Sequence, residues 1–201
     1  MEIKKSYLPI LNLFRKNIFL EKTIREISIA TKKDYPITYN SVKELESKKI
    51  LNLKTIGNSK VCSLNLSYET ISLFSLIDEN ESFLKNIPNI KKILDYKEFF
   101  EDIILVTGSY AKGKTNSKSD IDLVIIAKDD VLKKQKLIEN LTSLLIPKFH
   151  PIVISQKDFT DMLLDKKPNF GKEIYKNRLI YRNASRYYYL IKEAIENGFR
   201  G

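Results

Sequence analysis

The spacing of apolar residues changes within the first 70 positions of the chain. Ile24 and Ile27 share one side of a helix predicted to run to about Thr31, and Val42 and Leu45 share one side of a helix predicted for residues 37–48. The segments "ILNLKT" and "VCSLNL" then alternate with a period of two around a Gly-Asn turn, which predicts a β-hairpin. The pattern therefore predicts a pair of helices followed by two antiparallel strands.

Local signals set the boundaries of the two predicted helices. In "TIRE", the hydroxyl of Thr23 can accept from the backbone N–H of Glu26 while the Glu26 carboxylate reaches back, as in a capping box. The segment "KKDYP" ends the first helix, and Pro36 is expected at the start of the next one.

The chain carries a net charge of +10, and this charge is unevenly distributed. Residues 1–67 hold 13 lysines and arginines against 6 aspartates and glutamates, whereas residues 68–201 hold 22 against 19. A third of the chain therefore carries +7 of the excess, which favours binding of a polyanion. A solvated basic face is the alternative.

This order of elements, over residues 7–66, resembles the winged helix domains of archaeal and bacterial transcription regulators. The resemblance implies that the second helix of the pair enters the major groove of duplex DNA and that the hairpin reaches phosphates. The candidate DNA-binding residues are Tyr39, Asn40 and Lys43 on the helix and Lys54 and Lys60 on the hairpin. Winged helices also serve as protein-docking modules, and that alternative stays open.

A second pattern lies in the middle of the chain, where two apolar runs flank a polar loop. "IILVT" at 103–107 is typical of a buried strand and runs directly into Gly108 and Ser109. A glycine at a strand end lets the backbone approach a ligand closely, and a helical turn starting at Ser109 would present free N–H groups to an anion. These features favour a phosphate-binding corner.

Two aspartates open the second apolar run, "DIDLVIIA". Side chains two positions apart on a strand point to the same face, so Asp120 and Asp122 are expected to project side by side while Ile121 and Leu123 enter the core. Adjacent carboxylates repel each other unless a cation lies between them, which indicates Mg²⁺. A phosphate-binding corner beside a metal-binding pair predicts a site for a nucleoside triphosphate.

The stretch "GSYAKGKTNSKSDIDL" resembles the signature of the DNA polymerase β-like nucleotidyltransferases, and most of all that of the minimal nucleotidyltransferases. The resemblance covers about residues 90–156 and implies transfer of a nucleoside monophosphate from a triphosphate to a hydroxyl with two Mg²⁺ ions. ATP is the expected triphosphate, although no residue of the sequence indicates a specific base. It implies that Gly108 and Ser109 contact the triphosphate and that Asp120 and Asp122 are the catalytic metal ligands.

Charge alone makes Lys112 and Lys114 candidate phosphate contacts, with a solvated loop as the alternative. Some members of the family are antitoxins that add AMP to a tyrosine of a toxin, and such a role would require a partner chain.

The family usually carries a third carboxylate on the following strand, predicted here for residues 151–155 after a helix at about 131–145. That segment contains no acid. His150 stands near the expected place, but a neutral imidazole is a poor ligand for Mg²⁺. The nearest acids, Asp158 and Asp161, lie beyond the strand, where Asp158 is expected to cap the next helix rather than to bind a metal. Asp102 and Glu173 are the other candidate acids. The outcomes left open are a weak transferase, an acid from elsewhere, and nucleotide binding without catalysis.

The remaining sequence features limit which classes of protein the chain can belong to. The single cysteine, Cys62, is expected to be a buried apolar residue, and the chain has no apolar run of the roughly 20 residues that span a membrane. A single cysteine cannot form an internal disulfide, which fits a cytoplasmic setting, and the N-terminus has no secretory signal pattern. The last 40 residues have the apolar spacing of helices, and Arg178, Arg182 and Arg186 recur every four residues as a basic ridge.

The sequence thus predicts an α/β (α+β) chain. Residues 1–67 are expected to form a winged helix-turn-helix domain, residues 68–160 a connector and a small mixed-sheet nucleotidyltransferase domain, and residues 161–201 a helical tail packed on it. The leading function is Mg²⁺-dependent nucleotidyl transfer to a protein or nucleic-acid acceptor. The rival is a transcriptional regulator that senses a nucleotide without catalysis, and a homodimer is left open.

Overall fold

The computed structural model describes residues 4–116 and 119–201. The chain is a mixed α and β protein and divides into two compact units, the first ending at Phe74 and the second beginning at Ser75. None of the helices among the described residues combines the length and the apolar character needed to cross a membrane.

The first unit contains three helices and a small antiparallel sheet. In chain order its elements are α1 (Leu8–Lys16), β1 (Glu21–Thr23), α2 (Ile24–Thr31), α3 (Tyr35–Ser47), β2 (Leu51–Ile56) and β3 (Ser59–Leu64). Thr23 and Glu26 form the predicted capping box at the start of α2, because the Glu26 N–H donates to the Thr23 hydroxyl and the Glu26 carboxylate accepts from the Thr23 N–H at 2.7 Å.

The sheet of the first unit has the strand order β1-β3-β2. The predicted hairpin forms with Leu51 opposite Leu64 and Ile56 opposite Ser59. The three-residue strand β1, which the sequence pattern did not predict, adds to the other edge of β3 and runs directly into α2. Cys62 on β3 is fully buried, as expected, and burial raises the pKa of its thiol to about 11.

The second unit is built around a four-stranded sheet. The helix α4 (Tyr68–Leu84) contains the division between the units. After α4, the elements of the second unit are α5 (Ile90–Leu94), a 3-10 turn (Lys97–Phe99), β4 (Ile103–Thr107), α6 (Gly108–Lys112), β5 (Ile121–Ala127), α7 (Val131–Thr142), β6 (Phe149–Ser155), α8 (Gln156–Leu164), α9 (Phe170–Lys176), β7 (Leu179–Arg182) and α10 (Ala184–Glu196).

The strand order of this sheet is β6-β5-β4-β7. β4 is antiparallel to β5 and to β7, whereas β5 and β6 are parallel and are joined through α7. β4 is buried on both faces, as predicted from its continuous apolar run, and β5 is buried on both faces from Leu123 onward. One face of β5, which includes Leu123 and Ile125, packs into a core with Phe99 and Ile138. Asp122 therefore belongs to the opposite face, because its neighbours along the strand point into that core.

The C-terminal segment departs from the prediction of helices alone. Residues 179–182 form β7, because their consecutive apolar side chains cover the free edge of β4, where Leu179 lies opposite Val106. The predicted arginine ridge is wrong for the same reason. The Arg178 guanidinium lies 4.8 Å from the Tyr187 ring centroid, and Arg182 donates to the carbonyl of Leu94.

Two boundaries near the candidate site also differ from the prediction. β6 begins at Phe149, two residues before the predicted start, because Phe149 is buried and lies opposite Ile121 in the sheet. His150 is therefore part of the strand. The predicted helix over 131–145 ends earlier, at Thr142. Asp158 caps α8 together with Ser155, as predicted.

Candidate functional site

Gly108 forms the corner between β4 and α6 and lies against a carboxylate of β5. Its φ is +66°, a conformation that L side chains rarely adopt. A Cβ at this position would stand 1.9 Å from Oδ2 of Asp122, because Thr107 is paired with Asp122 in the sheet. The corner therefore requires glycine for its backbone angle and for the space that the Asp122 carboxylate occupies.

Asp120 and Asp122 face a common space beside this corner. The imidazole of His150 lies between them, with Nε2 3.4 Å from Oδ2 of Asp120 and Nδ1 3.9 Å from Oδ1 of Asp122. His150 holds this place because it is the parallel partner of Asp122 in the sheet, so their side chains project from the same face. Both carboxylates are about 42% exposed, so a ligand can reach them from solvent.

The electrostatic environment of Asp122 does not favour its charge. Partial burial raises the pKa of this carboxyl, and the charge of Asp120 raises it further, while His150 and Lys112 act in the opposite direction. A cation placed between the two aspartates would relieve both unfavourable effects. The pair is thus suited to a divalent ion on the side that the solvent reaches.

The two lysines of the corner have different surroundings. Lys112 ends α6 and donates to Oε1 of Glu173 at 2.7 Å. Lys114 is exposed beyond the turn at Gly113, and its backbone N–H donates to the carbonyl of Ser109 at 2.9 Å. Ser109 is the second residue of α6. Ser117 and Lys118, in the loop before the aspartates, lie outside the described residues.

Neither candidate for the third acid joins the aspartates as a metal ligand. Asp102 precedes β4 at the end of the sheet away from Gly108, where it is fully buried and accepts from Lys134 at 2.9 Å. Glu173 is engaged by Lys112. Over residues 4–116 and 119–201, no three histidine, cysteine or acidic side chains are grouped so that they could hold a metal ion. The neighbour of the aspartates on the adjacent strand is an imidazole.

The contacts of Glu173 and Asn177 were not apparent from the sequence. Asn177 donates through Nδ2 to Oε1 of Glu173 at 3.1 Å, and its backbone carbonyl accepts from Oγ1 of Thr107 at 2.6 Å. These residues lie more than 60 positions after Gly108, and the apolar spacing of their segment gave no indication that it returns to the corner.

The first unit carries an open groove of about 770 Å³ between α2, the start of α3 and the hairpin tip. Of the predicted DNA-binding residues, Tyr39 and Lys60 line it, with Nζ of Lys60 3.3 Å from the Tyr39 hydroxyl. Arg25 and Tyr35 also line the groove, although the sequence pattern did not single them out.

The other three predicted DNA-binding residues lie outside the lining of this groove. Asn40 and Lys54 are exposed, and Lys43 forms an ion pair with Glu46 on the same helix.

Residues 87–182 match the family model described as nucleotidyltransferase domain, over slightly less than half of the chain. The matched range contains the corner at Gly108, both aspartates, His150 and Glu173. No curated protein and no solved structure matches the chain significantly. The family match supports the nucleotidyltransferase superfamily for the second unit.

Proposed function

We propose, from the match of residues 87–182 to nucleotidyltransferase domains, that the second unit is a Mg²⁺-dependent nucleotidyltransferase. The observation that carries the proposal is the placement of two carboxylates against a glycine corner. Asp120 and Asp122 flank one space that solvent can reach. The absence of a side chain at Gly108 leaves the space that the Asp122 carboxylate occupies.

The aspartates fit the ion that the family implies. Mg²⁺ is usually bound by one or two carboxylates together with phosphate oxygens of the substrate. Asp120 and Asp122 supply those carboxylates, and their mutual repulsion is relieved by a cation. The bound ion would neutralise charge on the triphosphate as the transition state forms.

The side chains of the corner act on the triphosphate by position and charge. Gly108 allows the phosphates to approach the backbone, and the hydroxyl of Ser109 can donate to a phosphate oxygen. Lys112 and Lys114 supply positive charge at the same end of the sheet. Phosphoryl chemistry depends mainly on such positioning and electrostatic stabilisation.

The proposed reaction conserves the atoms of both substrates. An acceptor hydroxyl oxygen forms a bond to the α-phosphorus of the triphosphate, and the bond from that phosphorus to the bridging oxygen of pyrophosphate breaks. The hydroxyl proton is released, so the products are a nucleoside monophosphate ester and pyrophosphate.

A label-transfer assay tests the proposal. The full chain is incubated with Mg²⁺ and ATP labelled at the α- or the γ-phosphate, with protein and RNA acceptors. We expect α-label to become covalently attached and γ-label to stay in pyrophosphate. The double variant Asp120→Asn/Asp122→Asn should lose transfer, while Asp161→Asn on α8, outside the site, should keep it. Attachment that survives in the double variant would contradict the proposal.

The identity of the residue beside the aspartates favours a second candidate function. The adjacent strand offers His150 where the family usually has a carboxylate, and an incomplete acid set suits a domain that binds a triphosphate without turning it over. Such a sensor would bind Mg²⁺ and ATP, attach no α-label to any acceptor, and change its affinity for DNA when ATP is bound.

We further propose that the first unit is a winged helix that binds duplex DNA. Three helices, a hairpin, the basic charge of residues 1–67 and a groove lined by Arg25, Tyr39 and Lys60 support this role. Fluorescence anisotropy of the full chain with labelled duplex DNA at low salt tests it. Lys54→Ala/Lys60→Ala should weaken binding more than Lys91→Ala on α5. Absence of binding would favour a protein-docking module.

A further inference from the structure

Lys112 is attached to a second element of the same unit, outside the motif. Its ammonium donates to Oε1 of Glu173 on α9 at 2.7 Å, and the two side chains are each about 40% exposed. The hydrogen bond from Lys112 is the main cause that lowers the pKa of Glu173, so this carboxylate is ionised at neutral pH. One of the three ammonium hydrogens is engaged by Glu173, and two remain for another acceptor.

Glu173 is in turn held by Asn177, the residue that follows α9. The Asn177 amide donates to the same Oε1 at 3.1 Å, and the Asn177 backbone N–H donates to the carbonyl of Glu173 at 2.9 Å. Oε1 of Glu173 thus accepts hydrogen bonds from the side chains of Lys112 and Asn177, and the bond from Asn177 fixes the position of the oxygen that Lys112 contacts.

The same asparagine also holds the other end of α6. The hydroxyl of Thr107, immediately before Gly108, donates to the Asn177 carbonyl at 2.6 Å. A helix of five residues has little stability of its own, so its position depends on contacts with its surroundings. Glu173 and Asn177 supply such contacts at both ends of α6.

Lys112 lies close enough to the aspartates for its charge to lower the pKa of Asp122. An ammonium on a flexible four-carbon side chain would otherwise be free to turn toward those carboxylates and compete with a metal ion. The contact with Glu173 gives that ammonium a defined place beside the aspartates.

We infer that Glu173, supported by Asn177, is a positioning residue that holds the ammonium of Lys112 ready for the phosphates of the triphosphate, an inference that rests on the proposed function. A lysine ordered before the ligand arrives loses less entropy on binding, and two of its donors remain available. Glu173 itself touches neither the triphosphate nor the reacting atoms in this proposal.

Calorimetric titration of the full chain with ATP and Mg²⁺ tests this role. Ordering one long side chain on binding corresponds to a factor of about two to ten in affinity, so Glu173→Ala should raise the dissociation constant by about that factor. Glu173→Gln keeps an oxygen acceptor for Lys112 and should stay within about twofold of the unmodified protein. Asn177→Ala should weaken binding in the same direction, and Asp161→Ala on α8 is the control.

A double variant separates positioning from a structural role. Lys112→Met should weaken ATP binding, and adding Glu173→Ala to it should have no further effect, because no ammonium is left to position. A loss that persists in the Lys112→Met background, or an unchanged or lower dissociation constant for Glu173→Ala, would overturn the inference while leaving the proposed function intact. Absence of ATP binding by the unmodified protein would overturn both.

A measurement without nucleotide follows the contact directly. In the ¹⁵N-lysine NMR spectrum of the free protein, the Lys112 ammonium held by Glu173 should give a slowly exchanging signal. That signal should remain in Glu173→Gln and be lost in Glu173→Ala. Its persistence in the alanine variant would show that Glu173 does not order the lysine.

Discussion

Gly108 offers the sharpest test of how the corner accommodates Asp122. In the variant Gly108→Ala the new methyl group would stand 1.9 Å from Oδ2 and 3.0 Å from Cγ of Asp122. Ordinary van der Waals contact begins at 3.4 Å, so the carboxylate oxygen must retreat by about 1.5 Å or the corner must open by the same distance. The backbone is also strained, because alanine must adopt the φ of +66°.

The two effects can be estimated separately. An L residue in the left-handed region costs roughly 1–2 kcal/mol, and overpacking a filled site costs about 1–3 kcal/mol. Together they predict a loss of about 2–5 kcal/mol in the free energy of unfolding. A displacement of about 1 Å at a reacting centre can cost about 100-fold in rate, so transfer of the α-label should fall by about that factor.

Gly113→Ala is the matched control, because it lies at the other end of α6 and isolates the backbone effect. Gly113 has nearly the same φ, +65°, but no atom of residues 4–116 and 119–201 lies within 4 Å of a Cβ placed there, apart from its chain neighbours and the backbone of its own helix. Its replacement should cost only the roughly 1–2 kcal/mol of the left-handed conformation. The chain has no tryptophan, so urea unfolding of both variants is followed by circular dichroism and fitted with a separate transition for each unit.

The difference between the two alanine variants measures the steric conflict with Asp122. We expect Gly108→Ala to be the less stable by about 1–3 kcal/mol. Equal destabilisation of the two variants, or an unchanged rate of transfer in Gly108→Ala, would show that Asp122 does not need the space that Gly108 leaves.

Three further predictions concern other parts of the chain. Lys134→Met leaves the buried carboxylate of Asp102 without its lysine and should destabilise the second unit by about 3–5 kcal/mol. Lys133→Met, at an exposed neighbouring position, should leave the unfolding free energy almost unchanged. Similar urea midpoints for the two variants would contradict this prediction. The Cys62 thiol has a pKa of about 11 in the folded chain and about 8.5 in the unfolded chain, so it ionises first in the unfolded state and stability falls as pH rises between these values. Cys62→Ala should therefore reduce the loss of unfolding free energy between pH 8 and about 10.5 by about 2 kcal/mol. Parallel pH profiles of urea unfolding for the two proteins would contradict this prediction. Lys60→Ala should weaken duplex DNA binding and reduce the salt slope by about one, and an unchanged slope would exclude a phosphate contact.

Local signals predicted the parts of the fold that depend on neighbours in the sequence. The capping box at Thr23 and the hairpin over residues 51–64 are fixed by side chains within a few positions of each other, and both appear as predicted. The buried strands β4 and β5 follow from continuous apolar runs. Each of these elements carries its own signal.

The remaining elements depend on partners that are distant in the sequence. The strand β1 is three residues long and exists because β3 offers an edge, and β7 exists because β4 offers another. The sequence around Leu179 has no alternation or turn that separates it from the helices on both sides. Tertiary pairing decides such segments, and a single sequence does not display it.

The candidate site divides in the same way. The predicted placement of Asp120 and Asp122 near Gly108 rests on the two-residue period of a strand and on one loop. The position of His150 required the register of β6 against β5, which the predicted start at Pro151 left undefined. The role of Glu173 required the return of α9 to α6, so the third acid could not be decided from the sequence.

The sheet of the second unit carries acids at both of its ends, and the residues beside these acids differ in whether they leave room for a metal ion. Asp102 lies 2.9 Å from the buried ammonium of Lys134, so the protein itself supplies a positive group beside this carboxylate. Asp120 and Asp122 lie beside the half-exposed imidazole of His150, a neighbour that an incoming ion can displace, while the nearby ammonium of Lys112 is engaged by Glu173. In this scaffold a metal ion would then bind at the acids that no lysine contacts directly, and a new lysine placed in direct contact with Asp122 should abolish ion binding at that end of the sheet.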